Sequence, residues 1–232
     1  PTLIATVSLS LVPKLIAVVA RLRALFDLDA HPHAVDEHLR QDRTLRPLVA
    51  RRPGLRVPGS FDPFEMAVRA ILGQQVSVRA ATTLSGRLAK EFGRADPEGS
   101  EGRTLFPSAR LLSRVPLSSM QRIGLPRARA NTVIALADAV EGCRVDLFNH
   151  CEPESVIEQL QRVPGIGPWT AQVLAMRALR WPNAFPASDL GVQKALRVSS
   201  PRAAETRARS WQPWRAYAVM HLWTHLSEKT ST

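Results

Sequence analysis

The chain has 232 residues, 45% of them hydrophobic and 22% charged, so it is long enough to bury a substantial core and too apolar for a disordered basic tail. Lys and Arg number 31 against 20 Asp and Glu, a net charge of +11 with neutral His, which decorates a folded surface with positive charge and points to a polyanionic partner. Two cysteines, Cys143 and Cys151, are too few for a disulfide framework and suit a reducing, cytoplasmic setting.

The first stretch, PTLIATVSLSLVPKLIAVVARLRALF, is apolar but interrupted by Ser8, Ser10, Pro13, Lys14, Arg21 and Arg23, and it carries neither a basic leader nor a small-residue cleavage site. No membrane span or signal peptide is expected from it. The alternation in VSLSL reads as a strand of a larger sheet, with something upstream of it. Leu15, Ile16, Val18, Val19, Leu22, Leu25 and Phe26 then recur at helical spacing, predicting a helix from Lys14 to Leu28, and a weaker helix runs from Pro32 to Asp42. In RPLVARRPGLRVPGS, the residues Pro47, Pro53, Gly54, Pro58 and Gly59 predict a loop or linker. The N-terminal unit is therefore expected to span 1–50, and an all-α unit 51–232.

A helix is expected to begin at Pro63, because Asp62 can cap it, Pro63 fits its first turn and Glu65 can close a capping box. It runs to Gly73-Gln74-Gln75, after which Ser77 caps a helix ending near Phe92 with Gly93 as its stop. Arg94–Arg103 reads as a surface loop. Further helices are predicted over Ser108–Val115, Ser118–Ile123, Arg127–Val140, Pro153–Gln161, Pro168–Leu179, Asp189–Arg197, Ala203–Arg209 and Trp214–Leu226.

Between two of these helices lies Val163-Pro164-Gly165-Ile166-Gly167-Pro168-Trp169. Its glycines let a backbone approach a ligand closely, and the following helix N-terminus, with unpaired N–H groups and partial positive charge, can take a phosphate without any basic side chain. A bare turn between helices is the competing reading, and the net charge favours the phosphate. Downstream, Asn183-Ala184-Phe185-Pro186-Ala187-Ser188 delivers Asp189 to the start of a helix, where it is either a plain cap or a functional carboxylate.

With its spacing from the hairpin, VPGIGPWTAQVLAMRAL followed by AFPASDLGVQKAL resembles the helix-hairpin-helix DNA glycosylase superfamily. FDPFEMAVRAILGQQVSVRAATTL, GLPRARANTVIALADAV and SWQPWRAYAVMHLW resemble, in order, segments of the bacterial 3-methyladenine DNA glycosylase II family. The resemblance runs from about Leu55 to Trp223, and residues 1–50 resemble only the last strand and helix of that family's N-terminal α/β domain.

It implies a mainly α, two-lobed fold and an enzyme that flips alkylated bases, of 3-methyladenine and 7-methylguanine type, out of double-stranded DNA and hydrolyses the N-glycosidic bond. Asp189 aligns with the family's essential carboxylate. Trp169 and Trp223 match aromatic positions that stack a cationic base, with core packing as the alternative for each. Val173 stands where a tyrosine is familiar, which widens the pocket or weakens stacking. Gln74 and Gln75 fall at the DNA-facing turn, Gln75 where the family places an apolar wedge; Gly165 and Gly167 belong to the phosphate-binding hairpin. The carbonyls of Gln161, Val163 and Ile166 match positions that hold a monovalent cation in related hairpins. No other cofactor is implied, and no four-cysteine cluster follows Asp189 to hold an iron–sulfur centre. A monomer is expected.

Other signals are read as structural. His221 and His225 lack the intervening Glu of a zinc hydrolase, because Leu222 stands there, and Cys143, His150 and Cys151 make no convincing metal set. Arg122, Arg127, Arg129, Arg202, Arg207, Arg209 and Arg215 are either solvated or phosphate contacts. Two other functional readings compete: a non-catalytic DNA-binding module that keeps only the hairpin, and a bifunctional glycosylase/lyase. Against the latter, Trp169 occupies the place of the lyase lysine, and no lysine lies between Val163 and Asp189.

Overall fold

Small polar residues ahead of apolar runs start the helices of the central region. In the computed structural model, which describes residues 2–96, 104–148 and 151–230, Asp62 Oδ1 accepts the Glu65 N–H at 3.0 Å ahead of α4 (Pro63–Leu72; helices are numbered α1–α13 in chain order). Ser77 Oγ likewise accepts the Ala80 N–H at 3.2 Å ahead of α5 (Val78–Phe92). Each such cap is worth about 1 kcal/mol. The capping box is only half formed. Glu65 turns along its helix to accept the Arg69 Nε–H at 2.7 Å, a charged partner one turn on that outcompetes a neutral amide.

The N-terminal region departs from expectation twice. VSLSL is not a strand: the chain is irregular to Ser8 and enters a 3-10 turn over Leu9–Lys14, before α1 (Leu15–Leu25). A strand exists only through its neighbour, and no described residue pairs with this one, so local i to i+3 bonds such as Leu11 N–H to Ser8 O take over. After α2 (Pro32–Leu39), the expected linker contains a helix, α3 (Arg46–Arg51), because Pro47 falls in its first turn, where a missing N–H costs nothing.

Beyond α5, a minimal antiparallel pair, β1 (Arg94–Ala95) with β2 (Thr104–Leu105), brackets part of the expected surface loop. Residues 97–103 of that loop and His150 lie outside the described residues. There follow α6 (Ala109–Leu112), α7 (Leu117–Arg122), α8 (Arg127–Glu141), α9 (Pro153–Gln161), α10 (Pro168–Arg177), α11 (Leu190–Leu196), α12 (Pro201–Arg207) and α13 (Arg215–Thr230).

Two lobes result, as expected. In one, α8 packs on α4, α6 and α7, and α10 packs on α4 and α9; in the other, α11 packs on α12 and α13, and α13 on α3. Ile71, Leu72, Leu136, Leu160, Leu174 and Trp211 are fully buried in a continuous core. His221 belongs to this packing. It is 2% exposed, and burial lowers its pKa against the opposing pull of the Asp36 carboxylate, as befits a neutral packed imidazole. Among the described residues no group of three His, Cys, Asp or Glu side chains could hold a metal ion, and no helix is long and apolar enough to cross a membrane.

Candidate active site and hairpin

The hairpin between α9 and α10 is shaped by one close contact. Gly165 has φ +88°, and a Cβ there would sit 1.9 Å from Thr132 Oγ1 of α8. Its glycine is thus required by the protein's own packing, in addition to any ligand. Gly167 is different: its φ of −89° and ψ of 176° suit any residue, and nothing lies within 4 Å of a Cβ built on it. It forms the N-cap of α10 and offers no side chain to cap that helix, whose first turn carries Pro168.

Gln74 and Gln75, adjacent in sequence, part company here. Gln74 turns inward: its Nε2 donates to Thr170 Oγ1 at 3.0 Å and to the Gly165 carbonyl at 3.3 Å, while its own carbonyl accepts from Arg129 Nη2 at 2.6 Å. That accounts for Gln74 and Arg129 as internal braces of the hairpin. Gln75 adopts φ +55°, a left-handed conformation costly for a residue other than glycine, and is exposed.

The segment that carries Asp189 is pinned from three sides. Arg215 Nε donates to Asn183 Oδ1 at 2.7 Å, Gln172 Oε1 accepts the Phe185 N–H at 2.9 Å, and Gln193 Nε2 donates to the Ala187 carbonyl at 2.9 Å. Arg215, 7% exposed, is therefore structural. Asp189 caps α11, its Oδ1 accepting the Val192 N–H at 2.8 Å, but the cap is only part of its bonding. Trp223 Nε1 donates to the same oxygen at 2.9 Å, and Trp169 Nε1 donates to Oδ2 at 2.8 Å.

A cleft of about 500 Å³ opens between the lobes and is lined by Gln74, Gln75, Gly167, Trp169, Thr170, Ser188, Asp189, Leu190 and Gly191. Asp189, Trp169, Gln74, Gln75 and Gly167, five of the residues singled out in the sequence, meet there. Trp223 lies outside the lining and reaches the site through its N–H, and Val173 is buried, 7% exposed, on α10. Val163 and Ile166 are buried below the hairpin, where the Val163 carbonyl accepts the Ile166 N–H at 3.1 Å, while Gln161 ends α9. The sequence reading did not single out Leu190, 81% exposed beside Asp189 on the cleft wall, nor Thr132 under Gly165. An apolar residue next to a cap aspartate could have drawn attention to Leu190; nothing local could have revealed Thr132.

Two helices joined by a glycine hairpin, with a carboxylate in a cleft beside an uncapped helix N-terminus, make a helix-hairpin-helix fold. Residues 68–216 match the model of the HhH-GPD superfamily of base excision DNA repair proteins, and residues 1–62 that of the AlkA N-terminal domain. The chain belongs to the HhH-GPD superfamily. It is 34% identical over 222 residues to DNA-3-methyladenine glycosylase 2 of Escherichia coli, covering 96% of this chain and 76% of that protein. It is 42% identical over 218 residues to the probable bifunctional transcriptional activator/DNA repair enzyme AlkA of Mycobacterium tuberculosis, covering 91% of this chain and 43% of that protein, so it spans less than half of the latter's length. Among solved structures, the 3-methyladenine DNA glycosylase of Archaeoglobus fulgidus superposes with a TM-score of 0.74 at 25% identity, covering 91% of this chain and 75% of that one.

Proposed function

We propose that this chain is a monofunctional DNA glycosylase that turns alkylated bases out of duplex DNA and hydrolyses their N-glycosidic bond, in base excision repair. The observation that carries the reading is the Asp189 carboxylate, held by three N–H donors on the wall of a cleft wide enough for a nucleotide. The N-terminus of α10 and the surface charge take the phosphates; Gln75, held outward by its left-handed backbone, fills the gap left by the turned-out nucleotide.

In the chemical step the C1′–N bond breaks and its electron pair leaves with the base. Positive charge develops on the sugar opposite the Asp189 carboxylate, water adds its oxygen to C1′, and the water proton passes to the carboxylate or to solvent. Bases of 3-methyladenine or 7-methylguanine type are cationic in the nucleotide and depart neutral, so one carboxylate suffices. With no lysine between Val163 and Asp189, water is the nucleophile and the strand stays intact.

The carbonyl oxygens of Gln161, Val163 and Ile166 are hard donors of the kind that suit a sodium or potassium ion, and such an ion would supply a positive charge toward a DNA phosphate. The same reading includes a monomer in a reducing, cytoplasmic setting, for which two exposed free cysteines, Cys143 and Cys151, speak, and a unit boundary at residue 50, whereas the two family matches meet between residues 62 and 68 and α3 runs across residue 50.

The test is incubation with methylated duplex DNA. Release of free base, abasic sites cut only after alkali and no borohydride-trapped adduct are expected. Binding without base release would leave a DNA-binding module, and a lesion-dependent covalent adduct would establish the bifunctional reading.

A further inference from the structure

We infer that Trp169 and Trp223 act as positioning residues, aiming the Asp189 carboxylate through their indole N–H groups; this rests on the reading of Asp189 as the catalytic carboxylate. An ionised carboxylate has about four acceptor directions, two on each oxygen. On Oδ1 both are filled, one by the Val192 N–H of its own helix and one by Trp223 Nε1. On Oδ2 one is filled, by Trp169 Nε1. A single acceptor direction, on Oδ2, is left for the reacting sugar or its water.

The two indoles come from different lobes, Trp169 from the first turn of α10 and Trp223 from the middle of α13, so the carboxylate is gripped across the cleft and does not merely ride on the helix that it caps. Gly191 keeps the grip open: a Cβ there would lie 3.0 Å from Asp189 Oδ1 and 3.5 Å from Trp223 Cδ1. This assigns the tryptophans a task other than stacking. Trp223, outside the cleft lining, reaches the carboxylate through its N–H, while Trp169 lines the cleft and also donates its N–H.

Phenylalanine separates the two tasks, because it keeps an aromatic face and removes the donor. Trp169→Phe and Trp223→Phe are compared with the unaltered chain in excision of a cationic base, 7-methylguanine, and a neutral one, hypoxanthine, from otherwise identical duplexes. Each substitution is expected to lower kcat on the order of tenfold, as loss of a charge-assisted hydrogen bond does. KM, affinity for abasic-site DNA and the ratio of rates on the two bases should hardly change. A loss confined to the cationic base, a rise in KM alone, or an unchanged kcat in both variants would overturn the inference. Melting temperatures identify a variant that fails to fold, in which case the other decides. Asp189→Asn run in parallel keeps the two readings apart: an active Asp189→Asn chain removes the catalytic assignment, whereas an inactive one beside fully active Phe variants removes only the indole grip.

Discussion

Two helices direct their N-termini at the cleft, and they are finished in opposite ways. That of α11 is closed by the chain's own anion, Asp189, which caps it and is gripped by two indoles. That of α10 is left without a side-chain cap behind Gly167, whose outward side is empty. Both ends carry the same partial positive charge of about half a unit. The difference lies in who supplies the negative partner: at α11 it is built in, and at α10 it is left open, to a phosphate of the DNA on the proposed reading.

The sharpest way to break this comparison is at α11. Asp189→Asn keeps the shape and a weaker cap but removes the charge, and the excision barrier should rise by about 3 kcal/mol or more, with abasic-site binding within a few-fold of the unaltered chain. Single-turnover excision at the original rate would refute it.

A smaller effect is expected at the hairpin, where the two glycines should fail for different reasons. Gly165→Ala forces a side chain into Thr132 at a positive φ, and the cost should be about 2–4 kcal/mol of stability, visible as a lowered melting temperature and only partly restored by adding Thr132→Ala. Gly167→Leu should melt as the original does and bind every duplex more weakly, without regard to sequence, because backbone N–H groups read phosphates and not bases. If Gly165→Ala were as stable as the original, or Gly167→Leu bound as well, the division between an internal and an external glycine would fall.

The smallest effect falls between the two helix ends. Gln75→Ala should slow excision more in stable G·C surroundings than opposite a mismatch, where turning out the nucleotide is already easier. Equal rates of loss in the two contexts would show that Gln75 does not act as a wedge.

Most helices were legible because their signals are local. Asp62, Ser77, Pro63 and Gly93 act within a turn of where they stand, and the helix over Pro153–Gln161 is found at its expected bounds. The misses have long-range or positional causes. VSLSL alternates like a strand but has no partner strand among the described residues, and Pro47 reads as a breaker unless its place in the first turn is known. At the site, residue types and spacing joined Gly167 and Asp189, since the hairpin and the following helix start are close in sequence, whereas Trp169 and the distant Gln75 were singled out only through the family resemblance. Neither disclosed which edge of an indole faces the carboxylate, that Gln74 turns inward while Gln75 turns out, or that Thr132 lies under Gly165. Those facts depend on packing between segments far apart in the chain.

Gln74 ties the loop after α4 to the hairpin and to Thr170, and Arg129 of α8 holds that loop in turn. The side chain proposed to enter the base stack and the backbone proposed to hold the phosphates are therefore mounted on one frame, like the jaws of a caliper set to a single width. A duplex whose local geometry departs from that width can satisfy one jaw or the other, and the misfit must be taken up by the DNA. On the proposed reading, distortion of the helix around a damaged base would be felt at these two jaws before any atom of the base itself is read.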